Sequence, residues 1–315
     1  MAGTERQIVG TGGHRYEWVE RWAVIPDTES GRKNGRTHGV AVTSAGSVVV
    51  FHQANPAVVF YSPDGRIQRS WGDTFGGAHG LTLVHEDQEY LWLTDQDSGA
   101  VEKRTLDGDR VLKLDRPPRD EYREGAYSPT WVAVNEERYG GNGDIWVADG
   151  YGMSLLHRYA SDGRYQRSLT GPAEDDRFSC PHGIGFDYRG GMTELIIADR
   201  GNRRMLVMSP DGTFVRSATD HLSLPCGSIV AGELLVVPQL DARVTLFDGS
   251  GRFICDLGEN SAACAIEGWP DHPARMIVPG KFNSPHAVSA DADGNLFIVE
   301  WIIGGRITKL KRLQA

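Results

Sequence analysis

Four of the ten histidines in this 315-residue chain occupy the same place in a repeated sequence pattern. We call this place the ring position; it is His38 in Thr37–Val42 (THGVAV). In most repeats a small residue and then an apolar run follow it. Its ring positions lie 41, 51, 52, 44 and 60 residues apart, at His38, His79, Thr130, His182, Cys226 and His286. Three neutral imidazoles around one ion, with a fourth position open, are the pattern of a catalytic metal site, usually zinc.

The elements that would carry these residues are short β-strands. Each repeat continues through a polar turn into a second apolar run, such as 47–53 (SVVVFHQ). A third run then ends in a tight turn such as Ser62-Pro63-Asp64-Gly65, where Asp-Gly supplies the positive φ of a hairpin. A fourth, more polar strand follows, and no window holds a sustained helical period. Six such units of about 50 residues predict an all-β, six-bladed propeller with four antiparallel strands per blade.

The two ends of the chain are predicted to close this ring. The sixth unit ends at Arg306–Arg312 without a fourth strand, and Tyr16–Trp22 has the alternation to provide it. Pairing the two would remove an exposed sheet edge. We therefore predict a flexible tail over residues 1–12 and one propeller domain over residues 13–315, because units of this size are too small to be separate sandwiches.

Charge and composition narrow the class of protein. The chain has 33 Lys and Arg against 42 Asp and Glu, a net charge of −9 without a charged tail, which disfavours nucleic acid as the main partner. The basic clusters Arg203-Arg204 and Lys309–Arg312 are typical of solvated strand faces. Apolar runs such as Val48–Phe51 are too short for a membrane span. The four cysteines lack CxxC spacing, and no signal peptide pattern opens the chain, so we expect free thiols and a cytoplasmic location. Nothing specifies an oligomeric state.

The repeats resemble NHL repeats, and their motifs resemble the lyase domain of peptidylglycine α-amidating enzymes. The resemblance covers nearly the whole predicted propeller. The motifs that carry it are His-Gly-Leu in Ala78–Leu81, Pro129-Thr130, Asp149-Gly150-Tyr151, Pro181-His182, Ala198-Asp199-Arg200 and Pro285-His286.

The resemblance implies a catalytic zinc held by His79, His182 and His286. The predicted geometry supports the same three residues, because histidines from blades two, four and six would lie about 120° apart and converge on one ion. Zinc ranks before iron or manganese, since three histidines alone do not select the metal. The alternative is that histidine recurs at these positions for packing.

A second layer of residues follows the second strand of each blade. The resemblance implies that Tyr151 transfers a proton and that Arg200 organises the substrate and lowers the tyrosine pKa. A cation and a guanidinium would both favour the phenolate, which would then serve as a general base. The alternative is a packed aromatic ring and a surface arginine. We expect Asp95, Asp149 and Asp199 to make loop hydrogen bonds and not to be catalytic.

Other positions depart from the family pattern. Gln53 stands where the family has an essential arginine, and Ala287 replaces a calcium-binding aspartate, which makes a channel calcium unexpected. Gly152 and Leu155 replace a cysteine and an arginine of the tyrosine motif. His38 and Cys226 are open to three interpretations, as a fourth ligand, as support for the ligands or as filler. We expect the substrate site, or the groups behind the ligands, to include His38, Gln53, Cys226 and Trp301.

The sequence thus predicts an enzyme, a metal-dependent lyase or hydrolase that acts on a small polar molecule at the channel mouth. A lyase of a hydroxyglycine-type carbinolamide is one version, and hydrolysis of an amide, imine or lactone is the other. Because Gln53 is neutral, we expect a less anionic substrate than that of the family. The competing prediction is a non-catalytic NHL propeller that binds a protein or RNA partner. Bound transition metal in the purified protein would favour the enzyme.

Overall fold

Six antiparallel sheets form a ring in the computed structural model, which describes residues 6–73 and 75–314. Blade one contains β3 (Thr37–Val42), β4 (Val48–His52), β5 (Val58–Tyr61) and β6 (Ile67–Trp71). Blade two contains β7 (Ala78–His85), β8 (Glu89–Asp95), β9 (Ala100–Thr105) and β10 (Arg110–Lys113). Blade three contains β11 (Trp131–Val134), β12 (Ile145–Asp149), β13 (Leu155–Tyr159) and β14 (Tyr165–Leu169).

The remaining three blades repeat this order. Blade four contains β15 (Pro181–Asp187), β16 (Glu194–Asp199), β17 (Arg204–Met208) and β18 (Phe214–Ala218). Blade five contains β19 (Ile229–Ala231), β20 (Leu234–Gln239), β21 (Arg243–Phe247) and β22 (Phe253–Leu257). Blade six contains β23 (Pro285–Ala290), β24 (Leu296–Glu300), β25 (Arg306–Arg312), β2 (His14–Ala23) and β1 (Ile8–Thr11). The prediction of a six-bladed propeller is confirmed.

Helical structure in the described residues is limited to short segments. The α-helix α1 (Glu29–Lys33) is capped at its N-terminus by Thr28, whose side chain accepts a hydrogen bond from the Gly31 amide. The 3₁₀ turns span Asp120–Arg123, Glu137–Tyr139, Arg200–Asn202, Ser261–Ala265 and Ala274–Met276. None of the helices in residues 6–73 and 75–314 is long and apolar enough to cross a bilayer.

The apolar core lies between neighbouring blades. Val49, Phe51 and Phe60 of blade one pack against Leu91 and Leu93 of blade two in one buried cluster. The turns between third and fourth strands are tight, as expected, with Gly65 at φ 84° and Gly212 at φ 85°. Each blade is therefore held by its neighbours, and the innermost strands line the central axis.

The chain ends close the ring as predicted. Strand β2 pairs antiparallel with β25, in a register that sets Tyr16 opposite Arg312 and Val19 opposite Lys309. The N-terminal segment is thereby the fourth strand of blade six, and both chain ends belong to one sheet.

The prediction of a flexible tail over residues 1–12 is wrong for residues 8–11. These residues form β1, a fifth strand that pairs with β2 and sets Val9 opposite Tyr16. The physical reason is that β2 offers an unpaired edge, and Val9 buries its side chain in the cluster that contains Leu257. Residues 1–5 of the predicted tail lie outside the described residues.

A buried ion-pair network ties the N-terminal strand to blade six. The Arg306 guanidinium donates to Glu20 of β2 at 3.0 and 2.5 Å and to Glu300 of β24 at 3.0 Å. The side chains of Arg306 and Glu300 are 3% and 0% exposed. Burial raises the pKa of Glu20, but hydrogen bonding and charge from Arg306 outweigh it, so the net pKa is lowered. The closure is therefore electrostatic as well as apolar.

We expect Arg306→Ala to destabilise the protein by about 3–5 kcal/mol in urea unfolding at pH 7, because it leaves Glu300 buried without its partner. The control is Arg252→Ala, whose ion pair with Asp248 has an arginine side chain that is 81% exposed, and it should change stability by less than about 1 kcal/mol.

The same variant gives a test by pH. Because the pKa of Glu20 is lower in the folded than in the unfolded protein, ionised Glu20 stabilises the fold above its unfolded pKa of about 4.3. This stabilisation is lost as the pH falls through the folded-state pKa. The difference in unfolding free energy between wild type and Arg306→Ala should therefore shrink below about pH 4.3. A difference that stays constant down to pH 3 would contradict this role of Glu20.

Candidate metal centre

The ring positions of the innermost strands meet at one end of the central axis. His79 on β7, His182 on β15 and His286 on β23 are 2% exposed or less. Their ring centroids lie 4.7 Å apart for His79 and His182, and 4.8 Å apart for each pair that includes His286. The three predicted ligands thus form a nearly equilateral triangle, with one histidine from every second blade.

Each histidine of this triangle is oriented by the main chain of the next blade. The contacts from Nδ1 are 2.8 Å to the Thr130 carbonyl for His79, 2.6 Å to the Cys226 carbonyl for His182 and 2.9 Å to the His38 carbonyl for His286. A carbonyl oxygen only accepts, so Nδ1 must carry the proton in all three rings. The tautomer is therefore set, and each Nε2 keeps its lone pair.

The Nε2 atoms are directed away from these carbonyls and have few protein partners. Those of His79 and His182 lie 3.4 and 3.1 Å from the Tyr151 hydroxyl, which has one proton to donate. The Nε2 atom of His286 is buried and has no hydrogen-bond partner among the described residues. Buried acceptors without donors are costly unless a ligand satisfies them.

Burial and mutual proximity keep the rings neutral. Burial lowers the pKa of His79, His182 and His286 well below 6.5, and the charges of neighbouring histidines and of Arg200 lower it further. Neutral imidazoles whose Nδ1 is hydrogen bonded and whose Nε2 is free are the form that binds a transition metal. The residues present therefore fit a metal ion.

Two further potential donors adjoin the triangle. Potential ligand atoms lie within 4.8 Å of one another in two groups that share His286, one with His38 and His79, the other with His182 and Cys226. The predicted trio has members in both groups but does not itself form one of them. His38 is 2% exposed and its Nδ1 lies 3.2 Å from the Arg36 carbonyl. The structure brings both ring residues whose role the sequence left open to the ligands.

Tyr151 and Arg200 lie beside the histidines, as predicted. Arg200 Nη2 donates to the Tyr151 hydroxyl at 3.0 Å. Although Tyr151 is 40% exposed, its hydroxyl contacts two fully buried rings. Burial raises the Tyr151 pKa to about 12, and Arg200 opposes this rise by its charge and hydrogen bond. The protein's own groups therefore leave the phenol neutral at pH 7, with Arg200 acting in the predicted direction.

The aspartates of the second layer hold loops, as expected. Asp149 accepts from the Ser128 and Met153 amides at 2.7 Å each. Asp199 accepts from the Ser179 amide at 2.8 Å, and Asp95 plays the same part in blade two. Asp149 and Asp199 thereby shape the loops that carry Tyr151 and Arg200.

Gln53 and Trp301 both contact Arg36, a residue that sequence reasoning missed. The Gln53 amide donates to the Arg36 carbonyl at 2.9 Å, and its side chain accepts from Asn34 at 3.1 Å. The Arg36 guanidinium lies 5.1 Å from the Trp301 ring and pairs with Asp271. Only its place two residues before His38 could have suggested Arg36. Arg36 thus brings a guanidinium near Gln53, but its charge is balanced by Asp271.

Cys180 is a second residue that sequence reasoning missed. Its thiol accepts from Arg200 Nη2 at 3.3 Å, and its φ of 54° is rare for a residue with a side chain. The strained backbone precedes Pro181-His182 directly, so it contributes to how the His182 strand enters the axis.

Comparisons with known proteins agree with this architecture. No protein-family model matches the chain. The chain is similar to human NHL repeat-containing protein 3, with 29% identity over 227 residues that cover 66% of this chain and 63% of that protein. It is also similar to peptidyl-alpha-hydroxyglycine alpha-amidating lyase 1 of Drosophila melanogaster, with 27% identity over 330 aligned positions that cover 88% of this chain and 57% of that protein. The matches therefore span about 60% of these relatives' length.

Solved structures support the fold alone. A catalytically inactive variant of virginiamycin B lyase from Staphylococcus aureus, crystallised with quinupristin, superposes with a TM-score of 0.62 at 11% identity, covering 95% of this chain and 100% of that one. A chain of the nidogen/laminin complex superposes with a TM-score of 0.57 at 16% identity, covering 79% and 91%. The predicted resemblance is confirmed: this chain is a six-bladed propeller with NHL-repeat and amidating-lyase homologues at modest identity.

Proposed function

We propose that this protein is a metal-dependent lyase or hydrolase that acts on a small polar molecule at the histidine end of the channel. Zinc is the expected metal, ahead of iron or manganese. The observation that carries the proposal is the triangle of His79, His182 and His286, whose Nδ1 atoms all donate to main-chain carbonyls of the next blade. Packing alone would not require three buried histidines that share one tautomer and keep their Nε2 lone pairs available for a ligand.

The groups around the triangle suit a substrate with polar oxygen atoms. Arg200 is half-buried and its Nη1 atom, although buried, has no acceptor among the described residues. Its Nη2 atom is occupied by Tyr151 and Cys180. The free N–H groups can therefore bind a carbonyl, hydroxyl or carboxylate oxygen and hold the substrate against the Tyr151 hydroxyl.

When bound, a divalent metal would polarise a carbonyl or hydroxyl or activate water. With the histidine Nε2 atoms engaged as ligands, the Tyr151 hydroxyl loses its histidine acceptors and can exchange its proton with the substrate. Arg200 continues to donate to the phenolic oxygen and favours the phenolate after the proton has left. Tyr151 is thus the proton-transfer group and Arg200 its positioning partner.

The homologues suggest which reaction to test first. Relatives named peptidyl-alpha-hydroxyglycine alpha-amidating lyases favour cleavage of a carbinolamide. In that reaction the hydroxyl loses its proton, its oxygen forms the C=O bond of an aldehyde, the C–N bond breaks and the departing amide nitrogen takes up a proton. Gln53 is neutral where that family has an arginine, so we expect a less anionic substrate. Arg36, which pairs with Asp271, does not restore a free cation.

We expect His79→Ala, His182→Ala and His286→Ala each to lose bound zinc while remaining folded, as measured by elemental analysis and circular dichroism. The control is His52→Ala, which removes a fully buried histidine outside both donor groups and should retain zinc. Full metal content in His182→Ala would contradict the assignment. A wild type that is folded and binds no transition metal would favour the non-catalytic propeller that binds a protein or RNA partner.

We expect Tyr151→Phe to retain its metal and to lose about 10²–10⁴-fold in turnover, the usual contribution of a general acid–base group. The assay begins with a peptidyl-α-hydroxyglycine and continues with neutral carbinolamides and lactones. Tyr139→Phe is the control, because that tyrosine is 49% exposed and stacks on Tyr188, away from the histidines. Unchanged turnover in Tyr151→Phe on the true substrate would contradict the proton-transfer role. Efficient turnover of the peptidyl-α-hydroxyglycine itself would show that the loss of the arginine at position 53 matters less than we infer.

A further inference from the structure

We infer that the thiolate of Cys226 is a fourth protein ligand of the proposed metal centre, so that this chain binds its ion through three histidines and one cysteine. The inference rests on the proposed function, because it concerns the same ion. It changes the chemistry of the centre from an all-nitrogen site to one with a soft sulfur donor.

The position of Cys226 carries the inference. Cys226 is fully buried, and its sulfur belongs to the donor group that contains His182 and His286. Its thiol donates a weak hydrogen bond to the Leu224 carbonyl at 3.7 Å and also lies close to the Arg200 guanidinium. A buried thiol that already lies within 4.8 Å of a ring nitrogen of His182 and a ring nitrogen of His286 needs only a small shift to reach an ion shared with these histidines.

The main chain of Cys226 fixes this arrangement. The carbonyl of Cys226 accepts the Nδ1–H of His182 at 2.6 Å. Cys226 therefore provides both the proposed sulfur ligand and the carbonyl that orients the His182 ring. The Cys226 amide in turn donates to the Pro238 carbonyl of the next strand at 2.9 Å. The backbone that carries the thiol is therefore held on both sides.

The sharing of His286 limits the centre to one ion. His286 has only Nε2 to offer, because its Nδ1 proton is donated to the His38 carbonyl. The two donor groups therefore cannot be filled by separate ions at the same time. Binding removes the proton of the Cys226 thiol to solvent and forms a metal–sulfur bond. Zinc and cobalt can take a fifth ligand, which leaves room for the substrate.

Cobalt provides a direct readout, because a thiolate bound to Co²⁺ produces a near-ultraviolet charge-transfer band that imidazole ligands do not. We expect one cobalt per chain and this band in the wild type. Cys226→Ser should retain the cobalt, lose the band and bind zinc at least about 10-fold more weakly, since even partners outside the ligand sphere contribute 10–100-fold. Cys255→Ser, which removes another buried thiol of blade five, is the control and should keep the band.

Each other outcome overturns the inference in a distinguishable way. One cobalt per chain without the band, or a band that persists in Cys226→Ser, would exclude Cys226 as ligand and leave the proposed function standing. A visible cobalt spectrum that changes in His38→Ala and not in Cys226→Ser would assign the fourth position to His38. A wild type that binds neither cobalt nor zinc would overturn the inference together with the proposed function.

Discussion

The hydrogen bond from each histidine Nδ1 to the carbonyl of the next blade is the contact on which the site depends. It joins blade two to three, four to five and six to one, so it crosses alternate interfaces around the ring. Each bond contributes about 1 kcal/mol to stability, but its larger effect is to fix three tautomers at once. Fold and chemistry are therefore linked: the same contacts that join the blades leave Nε2 as the only nitrogen free to bind.

The geometry of the triangle in turn requires a closed ring. His286 enters from blade six, and that blade takes its fourth strand from the other end of the chain. Arg306 connects β25 to Glu20 on this N-terminal strand, and its guanidinium also packs on Trp18. Any loosening of the closure would move His286 relative to His79 and His182. The closure at the outer strands therefore supports the centre through the position of blade six.

Much of this could be predicted from the sequence, because repeats convert spacing along the chain into position around an axis. Recurrence of a ring position placed His79, His182 and His286 together, and the next strand ends placed Tyr151 and Arg200. The carbonyl partners had no such signal, since every residue has a carbonyl and only the distance between blades selects Thr130, His38 and Cys226. Strand β1 was not predicted because its four residues, one of them a glycine, are too few to show an alternation of apolar and polar side chains. Arg36 acts through contacts with Trp301 and Asp271, which are distant in sequence.

Anomalous X-ray scattering from crystals grown with zinc tests the central claim most directly. The account predicts one anomalous peak per chain at the zinc edge, on the propeller axis and bonded to Nε2 of His79, His182 and His286 at about 2.0–2.1 Å. The Nδ1 contacts to the three carbonyls should remain in place. A zinc-soaked crystal with no peak on the axis, or with an ion bonded through Nδ1 after the rings have turned, would contradict it.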